Sequence, residues 1–412
     1  MKVLLCARAC APNKGSESGV GWNWAVELAL LGHEVWVLTR ARNKPEIEEY
    51  LKINPVGENL RFAYYDLPWW SPQWKNNKKP RFIYLHYILW QIGAYRFARK
   101  LHSRIGFDLA HHVTWVSVRL PSFMGNLGIP FIFGPVAGGE RSPWPLRSGY
   151  SWRGWLIDLL RDIVNLFVKI DPVINRTFNQ AQYIYVTSEQ TKKLIPKRYW
   201  SKTHIQLAIG LREKPPPKTV NMNSDSKKSK KPFAILYVGR FLYWKGIHLG
   251  LTVFSDFLKA YPDSQLTLVG GGPDEAYLKR MAGQLKITEN VSWIPWVNQS
   301  ELSVLYSSSD IFLFPSLHDS GGMVVLEAMS HGLPVVCLDL GGPSVIVNDT
   351  CGRMINTGGR NKSEVITALS KALQELAENK ELLKSLRAGA LERINIFDWS
   401  VIVNRLYSKI KI

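Results

Sequence analysis

Phe314-Pro315-Ser316-Leu317-His318-Asp319-Ser320-Gly321-Gly322-Met323-Val324-Val325-Leu326-Glu327-Ala328-Met329 carries the most informative local pattern in the chain. The apolar run Asp310-Ile311-Phe312-Leu313-Phe314 leads into it and is long enough for a buried strand. A proline, a polar turn and two glycines follow, and then good helix formers as far as His331. Gly332-Leu333-Pro334 ends that helix, and Val335-Val336-Cys337-Leu338 reads as the next buried strand. This is a strand-loop-helix-strand unit with its glycines where loop meets helix. A helix start of this kind presents unpaired backbone N–H groups and a positive dipole end, which suits a phosphate. Asp319 lies in the loop and Glu327 just over one turn into the helix, so one carboxylate reaches a ligand from each element. Two glycines and two acids alone are weak evidence for a nucleotide site, and the rest of the chain has to decide.

Towards the N-terminus of this unit, Ala234-Ile235-Leu236-Tyr237-Val238 reads as a strand, followed by Gly239-Arg240-Phe241-Leu242-Tyr243-Trp244-Lys245-Gly246. Arg240 and Lys245 then sit in a strand-to-helix loop that opens on the same side as the start at Gly322. Two cations plus unpaired amides neutralise a diphosphate and stabilise it as a leaving group, although ordinary loop cations would look the same locally. Gln265–Val269, Val291–Ile294, Ile311–Phe314 and Val335–Leu338 continue the strand series, Lys362–Glu392 is a charged helical region, and Phe397-Asp398-Trp399-Ser400 opens a final helix.

The first half repeats the logic. Val3–Cys6 is a strand, Gly15–Gly21 a glycine-rich loop, Trp22–Leu31 an apolar helix stopped by Gly32, and His33–Leu38 the next strand. That is a βαβ unit of a doubly wound sheet. The loop is not G-x-G-x-x-G and no acid stands properly at the end of the second strand, so an NAD site is not expected. Phe107–Val113 reads as a strand ending in His111-His112, Pro130–Phe133 as another before Gly134-Pro135-Val136-Ala137-Gly138-Gly139-Glu140, and Tyr183–Thr187 as the last of this half. Between the halves, Pro215-Pro216-Pro217, a polar stretch and Lys227-Lys228-Ser229-Lys230-Lys231 mark a linker, the lysine run reading as a solvated loop. The expected organisation is α/β, with residues 1–210 and 233–394 as two doubly wound domains, 211–232 as the linker, and a C-terminal helix from about 395 to 412 returning to the first.

Composition agrees. A chain of 412 residues has room for two domains of about 200, and an apolar fraction of 46% fills both cores. The net charge of +19 admits nucleic acid, an anionic membrane surface or a phosphorylated substrate. No zinc-finger spacing, RNP-like aromatic motif or helix-turn-helix pattern is present, so nucleic acid is not the expected partner. Cys6, Cys10, Cys337 and Cys351 have no paired or metal-ligand spacing, which fits a reducing, cytoplasmic location. Arg8 and Lys14 cut the apolar start too short for a signal peptide, and no run is long enough for a membrane span.

Taken together, Gly239-Arg240…Lys245-Gly246, Asp319-x7-Glu327-Ala328-Met329, Gly332-Leu333-Pro334-Val335 and Gly341-Gly342 resemble the retaining glycosyltransferases of family 4. The resemblance covers nearly the whole chain: Gly15–Gly21 matches the family's N-terminal glycine loop, and Phe397–Ile412 its returning tail. His111-His112-Val113-Thr114 and Gly134–Glu140 are similar to a narrower set of bacterial polysaccharide or glycolipid members. The resemblance implies the GT-B fold, two Rossmann-like doubly wound parallel-sheet domains facing across a cleft, the first for acceptor and the second for donor. By that resemblance Arg240 and Lys245, after Gly239, bind the donor diphosphate; backbone at Gly321, Gly322, Met323 and Val324 caps the phosphates; Glu327 holds the ribose hydroxyls. Asp319 stands where the family usually has Glu, and Gly321 where it usually has an aromatic, which leaves the sugar open. Gly19 and Gly21 would bring backbone close to phosphate or sugar. One of His111 and His112 would project towards the reacting sugar, since neighbours on a strand face opposite ways; His112 is preferred as nearer the loop, with a packed or capping histidine as the other reading. Glu140 reads either as a contact to acceptor hydroxyls or as a surface acid, and His318 as a loop histidine or a substrate contact.

The expected reaction moves a sugar from a nucleotide-diphosphate sugar, UDP ahead of GDP, to a hydroxyl of a glycan or lipid-linked acceptor with retention. The leaving phosphate takes the proton, and no enzyme nucleophile, metal or cofactor is called for. Trp152–Phe167 and Phe82–Lys100 are apolar and aromatic with basic ends, and each reads as a core-facing helix or as a surface resting on the anionic inner face of a plasma membrane. A nucleotide-sugar epimerase and an inactive membrane-associated sugar-nucleotide scaffold are the competing readings.

Overall fold

The computed structural model describes residues 1–70, 82–212 and 232–410, so the lysine run at 227–231 and most of the expected linker lie outside the described residues. Strands β1 (Lys2–Cys6), β2 (Glu34–Thr39), β3 (Leu60–Tyr64), β4 (Leu109–His112), β5 (Phe131–Val136), β6 (Tyr183–Val186) and β7 (Thr203–Ile205) form one parallel sheet in the order β3-β2-β1-β4-β5-β6-β7. Strands β8 (Ala234–Val238), β9 (Gln265–Val269), β10 (Val291–Ile294), β11 (Ile311–Phe314), β12 (Val335–Leu338) and β13 (Gly352–Ile355) form a second, in the order β10-β9-β8-β11-β12-β13. Both orders run outward, return to the first strand and then grow the other way, the doubly wound arrangement. Central strands such as β4, β11 and β12 are buried along their whole length, as both-face helical cover requires. Two such units define a GT-B fold.

Three strands escaped the sequence reading. β3 and β13 lie at sheet edges and carry Arg61 and Arg353, while β7 has three residues beyond the strand expected to be last. Edge strands are covered less completely and need no continuous apolar run. The glycine-rich loop is also corrected. The first helix spans Ser16–Leu30, so Gly19 and Gly21 lie inside it. A Cβ at either would come within 2.0 and 2.1 Å of the carbonyl oxygens of Lys14 and Ala9. These glycines therefore let the helix start press against the chain leaving β1, instead of forming an open loop.

The chain divides into two compact units, Met1–Gly139 with Asp162–Ile209 and Trp399–Ile412, and Glu140–Arg161 with Gly210–Asp398. The final helix, Trp399–Tyr407, belongs to the first, where Trp399 and Tyr407 pack around Trp24. Residues 140–161 belong to the second, unlike the simple division at 210. Tyr150 sits edge-on to Tyr243 at 4.6 Å, and Gly154 is pressed so closely on the Tyr243 ring that a Cβ would lie 3.0 Å from it.

Among the described residues no helix is long and apolar enough to cross a membrane. The long helix Ile83–Ile105 turns Tyr87, Trp90, Ala94 and Ala98 into the first core, while Phe82, Tyr84 and Leu85 at its start are exposed.

Candidate functional site

Gly239-Arg240 leaves the C-terminal end of β8, and Pro315–Gly322 leaves that of β11. These strands are neighbours at the point where the second sheet reverses its growth, the position at which doubly wound sheets bind ligands. The two loops are fastened to each other. Leu317 N–H donates to the Trp244 carbonyl at 2.8 Å, and Gly246, at φ +68°, lies so close to Pro315 that a Cβ would sit 1.9 Å from its carbonyl oxygen. Only glycine fits this contact. It brings Lys245 to Asp319, with which it forms an ion pair, and leaves the ammonium 5.3 Å from the Phe314 ring centre.

Asp319 has a second task. Its Oδ1 accepts from the N–H groups of Gly321 and Gly322 at 3.0 and 2.9 Å, closing the loop before the helix Met323–Ser330. Those two amides are therefore engaged and do not cap a ligand in this state, a correction to the expected phosphate cap. Among the described residues the N–H groups of Met323 and Val324 have no hydrogen-bond partner, and these point the helix's unpaired amides and dipole at whatever occupies the site. Gly341 and Gly342 support the loop from behind: the Gly342 N–H donates to the Asp319 carbonyl at 2.7 Å, and a Cβ at Gly341 would lie 1.9 Å from that oxygen. The exposed Arg240 side chain has no partner among the described residues, so its guanidinium is available to an anion.

Glu327 lies on the next turn of the same helix, and the Tyr306 hydroxyl donates to its Oε2 at 3.2 Å. Burial raises the Glu327 carboxyl above the usual range, partly opposed by this hydrogen bond. Tyr306, on the helix Gln299–Ser308, was not legible as a site residue, because nothing in the local sequence links it to Glu327. Gly239, at φ +154°, shapes the turn ahead of Arg240.

In the first unit both histidines of β4 are buried and fully engaged. His111 Nε2 donates to the Gly134 carbonyl and its Nδ1 accepts from Tyr407, each at 2.8 Å. His112 Nε2 accepts from Gln91 at 3.0 Å and lies 3.2 Å from the Tyr87 hydroxyl, and its Nδ1 is 2.9 Å from the Ser122 hydroxyl. Burial depresses both rings to about 3, so both are neutral at pH 7. The expectation that His112 projects from the strand end is corrected: it is 1% exposed and pins β4 to the helix Ile83–Ile105. Glu140 is fully buried and groups with the second unit, which removes the surface-acid reading. Among the described residues no three His, Cys, Asp or Glu side chains gather as a metal site.

Residues 220–393 match the family model described as glycosyl transferases group 1. The chain is 25% identical over 381 residues to an alpha-monoglucosyldiacylglycerol synthase from Acholeplasma laidlawii, covering 88% of this chain and 85% of that protein. Its alignments to the next three curated relatives span 29, 44 and 40% of those proteins. Among solved structures it is similar to a sucrose-phosphate synthase from Thermosynechococcus elongatus, with a TM-score of 0.60, 19% identity and coverage of 99 and 97% of the two chains. An Anabaena protein solved in complex with UDP gives a TM-score of 0.58 at 14% identity, covering 99% of each chain. The match to the glycosyl transferases group 1 model lies within the second unit, and the structural likenesses agree with the GT-B fold.

Proposed function

We propose that this protein is a retaining glycosyltransferase that moves a sugar from a nucleotide-diphosphate sugar to a hydroxyl of a glycan or lipid-linked acceptor, in polysaccharide or glycolipid assembly. The observation that carries this reading is the gathering at one strand-order reversal of the Lys245–Asp319 pair with Arg240 and the Met323 and Val324 amides, which have no partner among the described residues. Arg240 and Lys245 would grip the diphosphate, the helix start would take the phosphate oxygens, and Glu327, steadied by Tyr306, would hold the ribose through its remaining oxygen. Charge developing on the leaving phosphate is then met by groups already in place, which lowers the barrier without reorganisation. The acceptor hydroxyl attacks from the face the diphosphate leaves, and the departing phosphate takes its proton, so neither a nucleophile nor His112 is needed.

A UDP-sugar is favoured over a GDP-sugar, supported by the likeness to a protein solved with UDP. A lipid-linked acceptor is supported by the likeness to an alpha-monoglucosyldiacylglycerol synthase and by the helix Trp152–Phe167, which leaves Trp152, Ile157, Leu160, Val164, Leu166 and Phe167 exposed. Such a face suits the anionic inner surface of a membrane. The two cations and the helix start supply the charge for which other enzymes use a divalent metal, so metal independence is part of the proposal. No observation favours the epimerase or the scaffold.

Calorimetric titration with UDP, GDP and ADP in the presence of EDTA tests the donor site. Preference for UDP, lost in Arg240→Ala, supports the reading. Equal binding by mutant and wild type, or none by the wild type, defeats it.

A further inference from the structure

The first sheet has its own reversal, between β1 and β4, and a second group of cations stands at its strand ends. Arg8 follows β1, Arg40 directly follows β2 and Arg42 is two residues on, while Trp115 lies three residues beyond β4. Arg8 is 3% exposed. Its guanidinium carbon lies 4.1 Å from the Trp115 ring centre and 5.5 and 5.7 Å from those of Tyr87 and Trp90. Its hydrogen bond is to a neutral acceptor: Nη2 donates to His86 Nδ1 at 3.3 Å, while His86 Nε2 donates to the Trp70 carbonyl at 3.0 Å. Arg8 Nε is shielded from solvent and has no acceptor among the described residues.

A buried guanidinium ordinarily meets a carboxylate. Arg8 forms no ion pair among the described residues, and Asp66, the carboxylate nearby, is taken by Arg40 at 2.7 Å. Burial and the charge of Arg40 push the Arg8 guanidinium down to about 10, and the burial of His86 beside it keeps that ring neutral. The aromatic rings recover part of the lost hydration through their faces, but they supply no counter-charge. Glu17, the other carboxylate at this edge, accepts from the Trp115 N–H at 3.0 Å and does not pair with Arg8, so among the described residues the buried Arg8 keeps a positive charge that no carboxylate meets directly.

We propose that the first unit carries an anion site centred on Arg8, with Arg40 and Arg42, which takes a phosphate ester on the acceptor. The assignment to an acceptor rests on the glycosyltransferase reading; the anion site itself does not. The shared chemistry is a phosphate group, belonging either to a lipid headgroup or to a soluble sugar phosphate. Planar, bidentate guanidinium donors suit it, and the aromatic surround excludes competing water.

The test titrates the full chain with glycerol 3-phosphate after saturation with UDP, so that the second unit's diphosphate site is filled. Binding to the wild type is expected, weakened about tenfold in Arg8→Gln and about threefold in the exposed Arg42→Gln, with UDP affinity unchanged in both. In a second arm, vesicles of phosphatidylcholine with and without phosphatidic acid are compared. Arg8-dependent capture by the acidic vesicles identifies a headgroup, and binding of the soluble ester without such capture identifies a sugar phosphate. No glycerol phosphate binding together with no Arg8-dependent capture overturns the proposal. If Arg8→Gln fails to fold, unchanged binding by Arg42→Gln overturns it as well. A wild type that binds glycerol phosphate but not UDP would sink the donor-site reading and leave this site standing.

Discussion

Asp319→Asn separates two tasks that one carboxylate performs. In the wild type Oδ1 accepts from Gly321 and Gly322 at 3.0 and 2.9 Å, while the other oxygen pairs with Lys245. Asparagine keeps the shape, and its amide oxygen can still accept both N–H groups, so the loop before Met323 stays closed. Only the charge is removed. If Lys245 is a ligand of the donor diphosphate, Asp319 competes with the nucleotide for it and repels it. The two side chains are 18 and 15% exposed, so the pair is partly buried, and about 1 kcal/mol is a fair net value. Releasing it should tighten UDP about fivefold, against the ordinary expectation that a mutated site binds less well. Transfer should slow, because the charge next to the donor sugar is lost. Calorimetry gives the first quantity and acceptor-dependent UDP release the second. An unchanged or weaker UDP affinity in Asp319→Asn would refute the competition and with it Lys245 as a diphosphate ligand.

Gly246→Ala forces a left-handed residue to carry a Cβ against the Pro315 carbonyl; it should cost at least about 1–2 kcal/mol by melting and weaken UDP binding, and wild-type behaviour would mean the two loops are not locked. Glu327→Gln should erase the preference for UDP over 2′-deoxy-UDP, about tenfold in the wild type, whereas a preference that survives removes Glu327 from the ribose. His111 and His112 take up protons only near pH 3, but in the unfolded chain near 6.5, so the unfolded state binds more protons between those values. Stability of the first unit should therefore fall as pH drops below 6.5, by at most about 1.4 kcal/mol per pH unit for each ring, and more gently in His112→Asn. A melting temperature equally steep in both proteins would contradict the burial of His112.

The second half was legible because its strands are short, mostly apolar runs, four of them followed directly by glycine or proline: Ala234–Val238, Gln265–Val269, Val291–Ile294, Ile311–Phe314 and Val335–Leu338 are all strands in the structure. The helix after Gly322 was legible for the same reason. The first half misled where one residue type serves two ends. Gly19 and Gly21 look like a loop, yet they permit a close helix-to-backbone contact inside a helix. His112 looks like a strand-end catalyst, yet Gln91, Tyr87 and Ser122, all distant in sequence, occupy its ring nitrogens. Tyr306 behind Glu327 and the use of Asp319 to cap Gly321 and Gly322 depend on tertiary geometry that no local motif encodes. Arg8 served in the sequence only to interrupt an apolar start; its aromatic surround comes from Tyr87, Trp90 and Trp115, far along the chain.

Turnover of a labelled UDP-sugar in the presence of a lipid extract and EDTA tests the central claim most directly. The account predicts that the wild type releases UDP only when acceptor is present, with label passing into an extractable product, and that Arg240→Ala does neither. Release of UDP without an acceptor, or equal product from Arg240→Ala, would contradict it.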